Sequence, residues 1–258
     1  MTAATIAFPH QLERHLTIRA PRALVFRYFT DSERWAKWWG PGSTIDARPG
    51  GKVYIRYPGD VEVAGEVIAI QPPEQIVFTY GFVSGTPVPP GASRVTIRLT
   101  ARGPDTLLEL THEFAEAAAR DEHVQGWRYQ LSLFANVVAD EVFADAEQAV
   151  NAWFTAWAEP NDSARAAMFK GIVTPEIQFR DRYSAIESVE DLVQQTGAAQ
   201  RFMPGVRLER RGSIRHCQGM VLADWAMLRD GTERGRGTNV FVFAPSGLIE
   251  WVTGFWGT

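Results

Sequence analysis

The chain has one cysteine in 258 residues, Cys217, so no internal disulfide can form. That fits a reducing compartment and excludes a disulfide-held scaffold. No run approaches the ~18 uninterrupted apolar residues of a membrane-spanning helix. The opening Met1-Thr-Ala-Ala-Thr-Ile-Ala-Phe-Pro has neither a basic stretch nor a sustained apolar core. No secretory signal and no membrane association are therefore expected, and the cytoplasm is the expected location. Positive charge is short as well: the formal net charge is −4, without the basic excess that nucleic-acid binding draws on. The five arginines between Arg201 and Arg215 read as the solvated face of a strand. The five histidines (His10, His15, His112, His123, His216) show no ligand spacing, and Cys217 follows His216 too closely for both to reach one metal from a regular strand. No glycine-rich loop opens a helix, since Arg48-Pro-Gly-Gly51 joins strand to strand. Neither a metal nor a cofactor is expected.

What is present is two successive α+β patterns. Residues 12–19 alternate as a strand, Leu24, Val25, Tyr28 and Phe29 line a short helix, and Asp31-Ser32 can cap a second helix carrying Trp35, Trp38 and Trp39. Six strands follow: Thr44–Arg48, Lys52–Tyr57, Val61–Ile70, Gln75–Phe82, Arg94–Ala101 and Thr106–Phe114. Proline and glycine clusters punctuate them. A long helix over Arg120–Ala139 places Val124, Trp127, Leu131, Phe134 and Val138 on one face. The pattern restarts near Asp140. A helix carries Trp153 and Trp157, a short helix runs through Met168, a strand covers Glu176–Asp181, and a helix covers Ser188–Gln200. Four strands then close the chain at Val206–His216, Met220–Arg229, Gly235–Phe243 and Leu248–Trp256. The order of elements differs between the halves, so the second is a separate domain and not a repeat.

Trp35-Ala-Lys-Trp38-Trp39, Arg48-Pro-Gly-Gly51, the segment Pro72–Tyr80, and Gly126-Trp127 with Leu131 resemble the family of activators of the 90-kDa heat-shock protein's ATPase, in the START-like helix-grip superfamily. The resemblance spans about residues 10–140. It implies an antiparallel sheet gripping a long helix over residues 1–140. The second half, 141–258, is similar to SnoaL-like proteins of the nuclear-transport-factor-2-like superfamily, through its element order, Phe179-Arg-Asp181 and the closing Gly247-Leu-Ile-Glu-Trp251. That implies a cone-shaped α+β barrel. Both superfamilies contain binders and enzymes, so the fold does not choose between them. Nothing resembles the separate docking region of the eukaryotic co-chaperones, and chaperone binding is not expected.

Strand alternation nominates the polar side chains. His112 shares a face with Leu108, Leu110 and Phe114, as either a ligand contact or a satisfied core histidine. In the second half, His216 falls in register with Leu208 and Ile214, Asp224 with Leu222 and Ala226, Asp181 with Phe179, and Asn239 with Phe241. Asp224, Asp181 and His216 are the catalytic candidates, because a carboxylate in an apolar pocket is tuned toward a general base. A one-residue slip in register would exchange the faces. His112, Trp127, Trp157, Tyr183, Asn239 and Trp251 are the candidate ligand contacts. The favoured expectation is a binder of a small apolar or amphipathic molecule in one or both cavities. A cyclase, isomerase or hydrolase using acid–base chemistry in the second cavity is the alternative. A third is an interaction protein without ligand, homodimeric through the C-terminal domain.

Overall fold

The computed structural model describes residues 7–257. The chain divides into two compact units, Met1–Val138 and Ala139–Thr258. Among the described residues no helix is long and apolar enough to cross a membrane.

The first unit is a seven-stranded antiparallel sheet in the order β1-β7-β6-β5-β4-β3-β2. Its strands are β1 (His10–Ile18), β2 (Thr44–Ile45), β3 (Lys52–Tyr57), β4 (Val61–Gln71), β5 (Gln75–Tyr80), β6 (Ser93–Arg102) and β7 (Asp105–Phe114). Two short helices, α1 (Arg22–Arg27) and α2 (Ser32–Trp39), interrupt it after β1. The Asp31 carboxylate accepts the Glu33 and Arg34 amides and so satisfies two orphan donors at the start of α2. Trp35, Trp38 and Trp39 sit at i, i+3 and i+4, and all three are buried.

The long helix α3 (Ala117–Val142) supplies Trp127, Leu131, Phe134 and Val138 to the same core. Phe134 lies 5.0 Å from both Phe29 and Trp38, and Trp127 lies 5.6 Å from Trp39, ring centre to ring centre. The Gln130 amide also donates to the Trp38 carbonyl, filling an acceptor that α2 leaves open at its end. The helix runs three residues beyond the predicted end because nothing in Asp140-Glu-Val142 breaks it.

The second unit opens with α4 (Ala146–Ala158) and α5 (Asp162–Lys170), which lead to β8 (Val173–Arg180), β9 (Ala185–Ile186) and α6 (Val189–Phe202). Strands β10 (Val206–Cys217), β11 (Met220–Arg229), β12 (Thr232–Phe243) and β13 (Ile249–Trp256) complete it. The sheet order is β10-β11-β12-β13-β8-β9, antiparallel except for the parallel β13–β8 pair. The expected barrel is not closed: β10 and β9 remain as free edges. Strand β9 has only two residues, and β10 carries exposed arginines (Arg207, Arg211, Arg215) that suit a solvated edge. Trp153, Phe154, Phe169, Phe179, Phe241 and Phe243 form the centre of this unit's core.

Candidate functional site

In the second unit, Val221, Ala223 and Trp225 of β11 alternate onto the buried face of the sheet, and Met227 follows them there. Trp225 pairs with Gly237 across the β11–β12 ladder. A Cβ at Gly237 would stand 2.4 Å from Cζ2 of Trp225, so only glycine lets the indole lie across β12. Asn239 pairs with Gly254 of β13. A Cβ at Gly254 would meet both Asn239 Oδ1 and Asp181 Cβ at 3.1 Å. That glycine therefore admits an amide from β12 and a carboxylate from the end of β8 to the same small space.

Hydrogen bonds fix these groups. The Trp225 indole donates to Asn239 Oδ1 at 2.9 Å. The Tyr183 amide donates to Asp181 Oδ1 at 2.8 Å, and the Trp256 indole donates to Oδ2 at 3.3 Å. From the helical side, Gln200 of α6 donates to the Trp157 carbonyl at 2.6 Å, holding the end of α4 against α6. The result is a cavity of about 370 Å³. Its walls are Trp157, Phe179, Trp225 and Trp256 with Leu208, Met203 and Met227, and its polar groups include Asp181, Asn239, Gln195 and Gln200. The rings stand nearly perpendicular: Trp225 and Trp256 at 83°, Tyr183 and Trp256 at 86°, Trp157 and Phe179 at 75°. Such a mostly apolar hollow with a few convergent polar groups is the form small-molecule sites take.

Of the sequence-nominated residues, Trp157, Asp181, Tyr183 and Asn239 line this cavity. Asp224 does not. It sits on the opposite face of β11, half exposed, where Arg215 reaches it at 3.2 Å and the Thr238 hydroxyl donates to it at 2.5 Å. The expected face was inverted: Val221, Ala223 and Trp225 point inward, and Asp224 alternates with them.

His216 lies on the inner side but at the far end of β10. It is eight residues from Leu208, about 20 Å along the strand at roughly 3.3 Å per residue once the bulge is allowed for. There it accepts the Gly219 amide at 3.0 Å and approaches Asp140 at 3.7 Å, beside Phe143. Trp251 faces outward. Its indole donates to the Thr253 hydroxyl at 2.8 Å, and Arg180 lies over its ring. The three catalytic candidates are therefore not brought together. Trp225, Trp256 and Phe179 were missed as lining residues, although Gly237 and Gly254 inside strands are a signal that something packs against the backbone.

The first unit has its own cavity of about 340 Å³, walled by Trp39, Tyr57, Tyr80, Phe82, Trp127 and His123, with Pro87 of the proline-rich loop among its lining. Burial pushes the Tyr80 hydroxyl up to about 12, and its oxygen is 3.3 Å from that of Tyr57, which burial also holds well above its ordinary value. His112 stands behind this wall, fully buried. The Trp127 indole, which can only donate, bonds His112 Nδ1 at 2.9 Å. The proton is thus on Nε2, which donates to Ser93 Oγ at 2.8 Å, and Ser93 donates on to the Tyr80 carbonyl at 2.8 Å. Both nitrogens are used, so of the two readings His112 is the satisfied core histidine. It orients Trp127 and does not line the cavity. Burial, reinforced by neighbouring His123, holds its imidazole well below the ordinary histidine range.

Among the described residues no group of three or more His, Cys, Asp or Glu is placed to hold a metal.

Residues 19–139 match the family model described as "Activator of Hsp90 ATPase homolog 1-like protein", fewer than half of the 258 residues. Among solved structures, the chain is similar to a putative SnoaL-like isomerase from Agrobacterium tumefaciens (20% identity, 43% of this chain and 96% of that one, TM-score 0.42). It is also similar to the Aha1 dimer from Colwellia psychrerythraea (15%, 50% and 96%, TM-score 0.44) and to CalU16 from Micromonospora echinospora (24%, 54% and 82%, TM-score 0.42). No curated protein sequence matches the chain.

Proposed function

We propose that the protein binds a small amphipathic molecule in the cavity of its second unit. We read residues 1–140 as a START-like helix-grip domain and residues 141–258 as a SnoaL-like domain. The observation that carries the binding reading is the pair of in-strand glycines. Gly237 and Gly254 give up side-chain packing and β-propensity. In exchange, a tryptophan, an amide and a carboxylate line a hollow that the chain leaves unfilled. Apolar rings supply the binding energy, and Asp181 and Asn239 set orientation.

A second reading, acid–base chemistry on the bound molecule, rests on Asp181 alone, the one nominated carboxylate in the cavity. Because Trp157, Trp225 and Trp256 line the site, ligand entry should change intrinsic fluorescence. Titration with a panel of small aromatic and alicyclic compounds is expected to give saturable changes in the wild type that weaken at least tenfold in Gly254→Val, whose side chain fills the space between Asp181 and Asn239. Equal affinity in the wild type and that variant would overturn the assignment of the site.

A further inference from the structure

We infer that the second-unit cavity selects a cation: a protonated amine or quaternary ammonium carried on a small apolar body. This rests on the binding reading above and adds the charge of the ligand to it. The first observation is the state of Asp181. Both of its carboxylate oxygens accept N–H bonds, from Tyr183 and Trp256, the pattern of a charged acceptor. Among the described residues no lysine or arginine forms an ion pair with it. Asp181 is partly exposed and lines an apolar hollow without a counter-charge of its own, so a cation in the hollow would meet an unpaired carboxylate there.

The second observation is the walls. Indole and phenol rings meeting at 83° and 86° form the corner of a box, and the Trp256 indole is itself bonded to the carboxylate. Aromatic faces attract cations through their quadrupoles, and an ammonium between such rings and a carboxylate gains from both. Tyr183 already makes a contact of this kind, with the Arg182 guanidinium 5.5 Å from its ring centre.

The cationic residue that lines the cavity, Arg207, does not cancel the charge of Asp181. It sits at the rim with its side chain 57% exposed and is paired with Glu209 at 3.0 Å. The neutral polar groups, Asn239 and the two glutamines, complement either sign and do not oppose a cation. An anionic ligand would be set against the Asp181 carboxylate, and a neutral one would gain nothing from its charge.

The test uses three probes of similar size on the full chain, followed by tryptophan fluorescence and calorimetry at low salt. They are benzyltrimethylammonium, its uncharged isostere neopentylbenzene, and the anion 3-phenylpropionate. A cation–π contact combined with one partly desolvated ion pair predicts that the ammonium binds about tenfold or more tighter than the neutral isostere, with the anion weakest. Asp181→Asn should erase that preference, bringing the ammonium and the neutral isostere to within about threefold of one another. If the neutral isostere binds as tightly as the ammonium, the inference is wrong and the cavity assignment survives. If the anion binds best, the inference is likewise overturned. If none of the three binds, both the inference and the binding reading fall. The wild-type comparison decides the matter even if Asp181→Asn does not fold.

Discussion

Lowering the pH below about 6.5 should destabilise the first unit through its two buried histidines, His112 and His123, whose burial disfavours the protonated form. The ordinary value for histidine is 6.5, so an unfolded His112 takes up a proton as the pH falls past it. In the folded chain the same proton is refused. The Trp127 indole already donates to Nδ1, so protonation there would set N–H against N–H, and burial disfavours the charge wherever it sits. The folded value therefore lies below the unfolded one. The stabilisation is complete above the unfolded value and is lost as the pH falls toward the folded one, at about 1.4 kcal/mol per pH unit for one group.

His123 adds to the slope. Burial lowers it too, against an opposing bond in which its Nδ1 donates to the Ala119 carbonyl at 2.7 Å, while its Nε2 is buried without a partner. The two act in the same direction, so the stability of the first unit falls as the pH drops below about 6.5, by no more than about 1.4 kcal/mol per pH unit for each group. Urea-dependent hydrogen exchange of the β6 and β7 amides reports this unit alone. His112→Gln keeps an acceptor for Trp127 and a donor for Ser93 but cannot titrate, so its pH slope should be smaller by one proton. Identical slopes in the two proteins, or a His112 imidazole that titrates near 6.5 in the folded state, would refute the reasoning.

Gly237→Ala brings a methyl within 2.2 Å of the Phe255 carbonyl and 2.4 Å of Trp225. Overpacking of this kind costs about 1–3 kcal/mol, so a lower thermal midpoint should accompany a weaker fluorescence response to ligand. Asp31→Ala removes the cap from α2 and should cost about 1 kcal/mol at neutral pH in chemical denaturation. The bonds to the Arg34 and Glu33 amides and the Arg34 charge hold Asp31 below the ordinary carboxylate value of 3.8. A depressed carboxylate stabilises above its unfolded value, so the difference between wild type and variant should shrink as the pH falls through 3.8 and below.

Much of the architecture is legible in the sequence because punctuation is strong where the chain turns. Pro58-Gly-Asp60 and Gly103-Pro-Asp105 end strands where expected, and positive φ values at Gly59, Asp60 and Gly103 show why those residues are there. The tryptophan spacing of α2 likewise gave the buried face directly. Strand β9 was missed because two residues carry no period. The barrel was an expectation from resemblance, and the sheet instead leaves β10 and β9 as its outer strands.

The site was harder to read, for a reason particular to β11. Met220-Val-Leu-Ala223 and Trp225-Ala-Met-Leu228 are apolar in both parities, so alternation cannot say which set is inside. Grouping Asp224 with Leu222 and Ala226 was as consistent with the sequence as grouping Trp225 with Val221 and Ala223. What decides it lies on the neighbouring strand: Gly237 leaves room for one large ring on one face, and Trp225 occupies it. His216 failed differently. Its face was assigned correctly, but a register shift between Arg211 and Arg215 and the length of β10 separate it from the cavity that Leu208 lines. Face and position are thus independent facts, and periodicity supplies only the first. Glycines inside strands supply part of the second, because each marks where backbone must yield to another group. In this chain, Gly237 and Gly254 point to Trp225, which alternation missed, and set it beside Asn239 and Asp181, which alternation had nominated.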